Sequence, residues 1–169
     1  AAMGTLATER LAIGGAKGAD CRELVALAAE LPCESGTVLK DPHFRQKLAD
    51  WYVNSEGINL TRMRALTTLS RGGTPGPEMS IAKLVMAEQL QQLCDYAMDL
   101  QAEFGIINSP EISEQAAVFQ KGWLKAPGSR IAGGTDEILM NVIAERVLGM
   151  PGEIRVDKDL PFNELPVGI

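Results

Sequence analysis

Apolar residues recur along this chain with a helical period. Leu24, Leu27, Ala28 and Leu31 fall at i, i+3, i+4 and i+7, the pattern of one helix face, and predict a first helix from about Met3 to Leu31. The segment PCESGT ends it. Asp41 followed by Pro42 reads as a cap with proline at the first helical position, and starts a second helix. Phe44, Leu48, Trp51 and Tyr52 give that helix its apolar side. Gly57 is expected to interrupt it before Leu60, Met63 and Leu66 resume the stripe. RGGTPGPE, at 71–78, is a loop punctuated by glycine and proline.

A third helix is predicted from about Glu78 to Phe104, with Met86, Leu90, Leu93, Cys94 and Ala97 along one face. Ser109-Pro110-Glu111 should start a shorter helix that stops near Ala126-Pro127. Thr135 then caps the last one. Asp136 and Glu137 stand in its first turn, where negative charge suits the helix dipole. Ile138, Val142, Ile143 and Val147 should bury one side. Gly149 ends the helix and Pro151 prevents continuation. The tail after it, EIRVDKDLPFNELPVGI, has neither helix nor strand period and reads as an extended segment lying over another surface. Four long helices and a shorter one imply an all-α fold, an antiparallel helical bundle over 1–150 with an extended tail of the same domain over 151–169.

Composition agrees with this picture and narrows the function. The 169 residues are 46% hydrophobic and only 5% aromatic, a mixture that favours helix and suffices for one core. The formal net charge is -6, and no dense Lys/Arg run offers a nucleic-acid face. Cys21, Cys33 and Cys94 are scattered and odd in number, as expected for reduced, buried thiols. No apolar run is long enough to span a bilayer, and no secretory signal opens the sequence, so the expected location is cytoplasmic.

Candidate chemistry is sparse. His43 is the single histidine, and no nucleophile motif accompanies it. With three scattered cysteines it gives no metal-ligand spacing, so no metal site is expected. Glu88, Glu103 and Glu145 read as solvated helix faces. Gly133-Gly134-Thr135 stands apart. Glycines admit positive φ and close approach to the backbone, and the amides of a following helix can face an electron-rich atom. Taken alone, the turn reads first as an ordinary capped helix start.

The stretch IAGGTDEILMNVIAERVLG, Ile131 to Gly149, resembles the closing motif of acyl-CoA dehydrogenases: Ile-x-x-Gly-Thr-x-Glu-Ile, then Asn-Ile-Ile-Ala and a Leu-Gly stop. SIAKLVMAE (80–88) is similar to that family's Ser-x-x-Lys helix, and LATERLAIGGA (6–16) to the start of the first helix of its C-terminal domain. The three segments occur in the family's order. The resemblance implies the C-terminal helical domain of an enzyme that uses FAD to oxidise an acyl-CoA to its 2,3-enoyl-CoA. It also implies a β-domain elsewhere that completes the flavin site, electron-transfer flavoprotein as acceptor, and assembly as a homo- or hetero-oligomer. Gly133 and Gly134 correspond to the backbone that binds the thioester oxygen. Thr135, Asp136 and Glu137 correspond to positions beside the flavin.

Three departures from the family pattern bear on catalysis. Many members carry the catalytic glutamate directly before Gly-Thr, where this chain has Gly133. A related branch takes its base from the first helix, beside an arginine, and Glu9-Arg10 fits that place. The family's Arg-x-x-Phe-Gly segment is replaced by KDPHFRQKLAD (40–50), and its Gly-Gly-x-Gly turn by LQAEFG (100–105). Both family segments touch flavin, so their loss is also what a non-catalytic partner subunit would display. An acyl-CoA oxidase is a further alternative on the same scaffold.

Overall fold

A computed structural model describes residues 18–34, 36–74, 76–152 and 160–165. Five α-helices are formed among them: α1 (Cys21–Glu30), α2 (Pro42–Ser70), α3 (Met79–Leu100), α4 (Val118–Ile131) and α5 (Asp136–Val142). α3 is the central element, packed between α2 and α4 and touched at its N-terminal end by α5. The all-α bundle expected from periodicity is what the chain forms, with one two-residue ribbon, β1 (Pro32–Cys33) paired antiparallel with β2 (Gly36–Thr37).

The first helix is shorter than its apolar pattern implies. Asp20 is extended (φ -136°) and its carboxylate accepts from the Arg22 amide at 2.6 Å, while Glu23 reaches back to the Asp20 amide at 3.2 Å. This reciprocal capping box starts a helix at Cys21, so no single helix runs from Met3 to Leu31. The part expected over 3–17, Glu9 and Arg10 included, lies outside the described residues. Leu24, Leu27 and Ala28 are buried as their spacing requires.

Asp41 and Pro42 start α2 as expected, the Asp41 carboxylate accepting from the Phe44 amide at 2.9 Å. Gly57 does not interrupt the helix, which runs unbroken to Ser70. Phe44 and Trp51 enter the core, where the Tyr96 ring of α3 lies 6.4 Å from Phe44 and 5.4 Å from Trp51. Farther along, Ala65 is buried against Met79 and Ala82, while Leu60, Met63 and Leu66 face solvent. The expected apolar stripe is real in sequence but uncovered among the described residues.

α3 ends at Leu100, earlier than Phe104. Ala102 takes a left-handed φ of 50°, and a 3-10 turn follows over Ala102–Ile106. A Cβ at Gly105 would overlap the Met98 carbonyl, so glycine is what lets this turn fold back on α3. The shorter helix does not begin at Ser109. Ser109 and Ser113 bond locally to Glu111 and Ile107 instead, and Gln115, Ala116 and Ala117 all take left-handed φ before α4 starts at Val118. Pro127 then fails to stop α4, which continues to Ile131. Packing overrides the lost backbone bond: Phe119, Gly122 and Ala126 sit against the bundle before the proline, and Arg130 is tied to Gln91 of α3 after it.

Thr135 caps α5 and Gly149 (φ 69°) ends the last helical stretch, after a π-helical turn over Ile143–Val147. Its buried side differs from the expected one. Leu139 is buried and Val142 and Ile143 half-buried, whereas Ile138 and Val147 are exposed. Of the tail, 153–159 and 166–169 lie outside the described residues, and Phe162–Glu164 forms a 3-10 turn. Among the described residues, no helix is long and apolar enough to cross a membrane.

The seam between α3 and α4 is tight. A Cβ on Gly122 would lie 2.5 Å from the Cys94 sulfur. Burial pushes the Cys94 thiol up from 9.0 to about 12. The folded state thus favours the neutral thiol, and this contribution to stability holds below pH 9 and fades as pH rises toward 12. At pH 8, Ellman's reagent should leave Cys94 unlabelled until denaturant is added. Labelling in the native protein at the unfolded-chain rate would show that the α3–α4 seam is open.

Candidate functional site

The Gly133-Gly134-Thr135 turn joins the end of α4 to the start of α5, and a lysine from α3 reaches beneath it. Lys83 lies one turn into α3 with a side chain fully out of solvent. Its ammonium donates to the Gly134 carbonyl at 2.7 Å and to the Arg130 carbonyl at 3.0 Å. It also stands 3.7 Å from Asp136 Oδ1. Arg130 Nε donates to Asp136 Oδ2 at 2.6 Å, and Arg130 Nη1 to Gln91 Oε1 at 3.0 Å. Two cations from two helices therefore meet one carboxylate at the first residue of α5.

Each charge is explained by its surroundings. A buried ammonium is tolerated only when paired and hydrogen-bonded, and Lys83 has both. Asp136 is buried as well, and its Oδ1 accepts no hydrogen bond among the described residues, so its partner there is the Lys83 charge. The hydrogen bond to Asp136 raises the Arg130 guanidinium further above its already high value. The exposed Glu137 carboxyl is held below its usual range, first by its own backbone amide at the helix start and then by the Thr135 hydroxyl.

The turn itself requires glycine. Gly133 has φ 69° and Gly134 φ 113°, both in the left-handed half of conformational space. The Gly134 amide donates to the Ile131 carbonyl at 3.2 Å, closing the turn. The Thr135 hydroxyl caps Ile138 at 3.4 Å, and the Leu139 amide bonds the Thr135 carbonyl at 2.9 Å. What results is a turn of two glycines, Gly133 buried and Gly134 half-buried, held by the buried Lys83.

Of the residues singled out in the sequence, Gly133, Gly134, Thr135, Asp136 and Glu137 form this turn and the first residues of α5. Asp136 points into the bundle, while Glu137 is exposed and Thr135 half-buried. Glu9 lies outside the described residues. Phe44, in the segment standing where the family has Arg-x-x-Phe-Gly, is fully buried against Tyr96 and belongs to the core. Sequence reasoning missed the roles of Lys83, Arg130 and Gln91. A signal for Lys83 was present: it falls in helical register with Met79, Ala87 and Leu90, a lone cation on an apolar face. Among the described residues no group of His, Cys, Asp and Glu is arranged to hold a metal ion.

This geometry sits within a recognised domain. The family model described as acyl-CoA dehydrogenase, C-terminal domain, matches residues 1–148. The chain belongs to that family. Acyl-CoA dehydrogenase IpdE1 of Mycolicibacterium smegmatis is 34% identical over 156 residues, which is 91% of this chain and 37% of that relative. The fold matches the ChsE4-ChsE5 complex from Mycobacterium tuberculosis with a TM-score of 0.64 at 20% identity, covering 79% of this chain and 34% of that one. It matches the Tcur3481-Tcur3483 steroid ACAD with a TM-score of 0.65 at 20% identity, again over 79% of this chain and 34% of that one. The acyl-CoA dehydrogenase C-terminal domain thus spans little more than a third of these relatives.

The charge arrangement predicts an order of stabilities. Asp136→Asn leaves the Lys83 charge buried without its counter-ion and should cost roughly 3–5 kcal/mol. Arg130→Gln removes a partner whose side chain is 45% exposed and solvent-screened, and should cost far less. Urea unfolding of the two variants checks this. The reverse order would mean that Asp136 does not compensate Lys83.

Proposed function

We propose that this chain is the C-terminal domain of an FAD-dependent acyl-CoA dehydrogenase, and that the braced Gly133-Gly134 turn receives the substrate thioester. The observation that carries the reading is the turn itself: two positive-φ glycines without side chains, and a buried lysine bonded to the Gly134 and Arg130 carbonyls. An enolate develops negative charge on the thioester oxygen, and a fixed amide dipole stabilises it without reorganising. In this reading the backbone around Gly133 and Gly134 meets the oxygen, and both glycines contribute by lacking a side chain.

FAD, when bound, accepts the hydride leaving the β-carbon. Thr135 and Glu137 lie on the open side of the turn and would border it, while Asp136 fixes the start of α5 from within. Family membership supports a flavin site, and the chain supplies one wall of it; the other wall belongs to a β-domain. Glu9 would remove the α-proton, since Gly133 offers no carboxylate. Its place beside Arg10 resembles that of the base in one branch of the family. Electron-transfer flavoprotein is the acceptor in this reading. The exposed Leu60, Met63 and Leu66 of α2 would be covered by another subunit in a homo- or hetero-oligomer, working in the cytoplasm.

One observation favours a second reading. Gly133 stands where many members carry the catalytic glutamate, and two structural neighbours are described by pairs of names. A subunit of a mixed assembly could keep the turn as a fold element and leave proton abstraction to its partner.

Glu9→Gln in the full-length flavoprotein separates the two. Flavin binding should survive, while anaerobic bleaching by acyl-CoA falls about 100- to 10,000-fold, the usual contribution of a positioned base. Straight-chain and steroid side-chain thioesters should both be tried, because one neighbour is described as a steroid ACAD. Bleaching at the parental rate would remove Glu9 from the mechanism and favour the silent partner.

Gly134→Ala tests the turn. At φ 113° a Cβ is strained wherever the space around it lies, and it would also stand on the thioester-facing surface. Bleaching should be lost while the helical circular dichroism and flavin absorbance persist. Unchanged bleaching would return the turn to a plain helix cap.

A further inference from the structure

Resting on that reading, we infer that Lys83 is a positioning residue for the reaction: its buried ammonium ties the glycine turn to the last turn of α4 and so holds the backbone of that turn toward the thioester. A pair of adjacent glycines has the widest conformational freedom of any dipeptide and does not hold its own direction. The internal bond from the Gly134 amide to the Ile131 carbonyl closes the turn but leaves its orientation to its neighbours. That orientation comes from α3.

One Lys83 nitrogen donates to the carbonyl of Arg130, in the last turn of α4, and to that of Gly134, within the glycine turn. Sharing one donor holds the Gly134–Thr135 peptide in a set direction relative to the end of α4. Asp136, 3.7 Å from the same nitrogen, holds the ammonium in place and is itself held by Arg130. The bracing therefore runs from α3 through one cation to the end of α4 and the start of α5. Lys83 is out of solvent and acts through the turn, so it is not a catalytic residue. An amide displaced by about 1 Å from the developing oxyanion costs on the order of 100-fold in rate, which sets the scale of the effect.

The test uses the full-length flavoprotein with Lys83→Met and Lys83→Gln. The first keeps length and removes every donor; the second keeps an amide donor without charge. Hydrogen–deuterium exchange is read on peptides covering 130–139 and, as the internal control, 42–70. Stopped-flow bleaching is read with whichever of butyryl-, octanoyl- or a steroid side-chain CoA thioester reduces the parental protein fastest. In the Met variant, exchange over 130–139 should quicken while that over 42–70 stays parental. The saturated bleaching rate should fall about 10- to 100-fold with little change in half-saturation, because the lost interaction serves the transition state. The Gln variant should fall between Met and parent, and it decides the matter if the Met variant does not fold.

Parental exchange over 130–139, exchange that rises equally in both regions, or an unchanged saturated rate would overturn the assignment. A parental flavoprotein that no thioester bleaches would instead sink the dehydrogenase reading. The exchange comparison would then still decide whether Lys83 holds the turn.

Discussion

A lysine ammonium buried between three helices is the constraint on which the glycine-turn end of this domain depends. Such a charge cannot be left uncompensated, and the glycine turn and its flanks supply two carbonyls and one carboxylate for it. The requirement works in both directions. Lys83 orders the turn, and the turn is what makes a buried Lys83 tolerable. That reciprocity explains why α4 must continue through Pro127. The last turn of α4 carries Arg130, whose carbonyl binds Lys83 and whose guanidinium binds Asp136. Ending α4 at Ala126 would remove both.

Much of the fold is legible in the sequence because capping and periodicity are local. Asp41-Pro42, Thr135 and Gly149 act through neighbours a few residues away, and each marks the boundary its chemistry implies. Asp20 and Glu23 carried an equally local signal, but the apolar pattern running through them masked it. The misreadings elsewhere share a different cause, since they depend on contacts between helices. Pro127 is a stop signal that packing overrides. Leu60, Met63 and Leu66 have the period of a buried face, yet period says that residues share a face and not what covers it. Ile138 fails for the same reason: Asp136 and Leu139 take the inner side of α5 because Lys83 stands there.

The exposed apolar residues are consistent with a domain that does not function alone. Leu60, Met63, Leu66 and Leu69 are exposed on the C-terminal half of α2, interleaved with Ile58 and Ala65, which meet α3. Among the described residues the core does not use them: Phe44, Trp51, Leu93, Phe119 and the buried face of α1 form one cluster. Among the described residues α2 thus meets α3 with one face and leaves these apolar side chains uncovered on another.

The placement of acid–base chemistry follows from the same bracing. Gly133 sits at φ 69° in a buried turn whose flanks are already occupied by two cations and one carboxylate. A glutamate there would meet both a left-handed backbone, unfavourable for a residue with a Cβ, and an adjacent charge set balanced without it. In the proposed reading the turn of this chain presents backbone dipoles, and the base, which many family members carry at this position, comes from another segment. A carboxylate supplied from a separate segment escapes both restrictions. Its proton affinity can be raised by burial against the substrate while the oxyanion surface stays rigid. Dividing the two tasks between a fixed turn and a distant carboxylate keeps the electrophilic and basic groups from sharing one strained loop. In the proposed reaction, that division makes Lys83 the guardian of geometry and Glu9 the carrier of the proton.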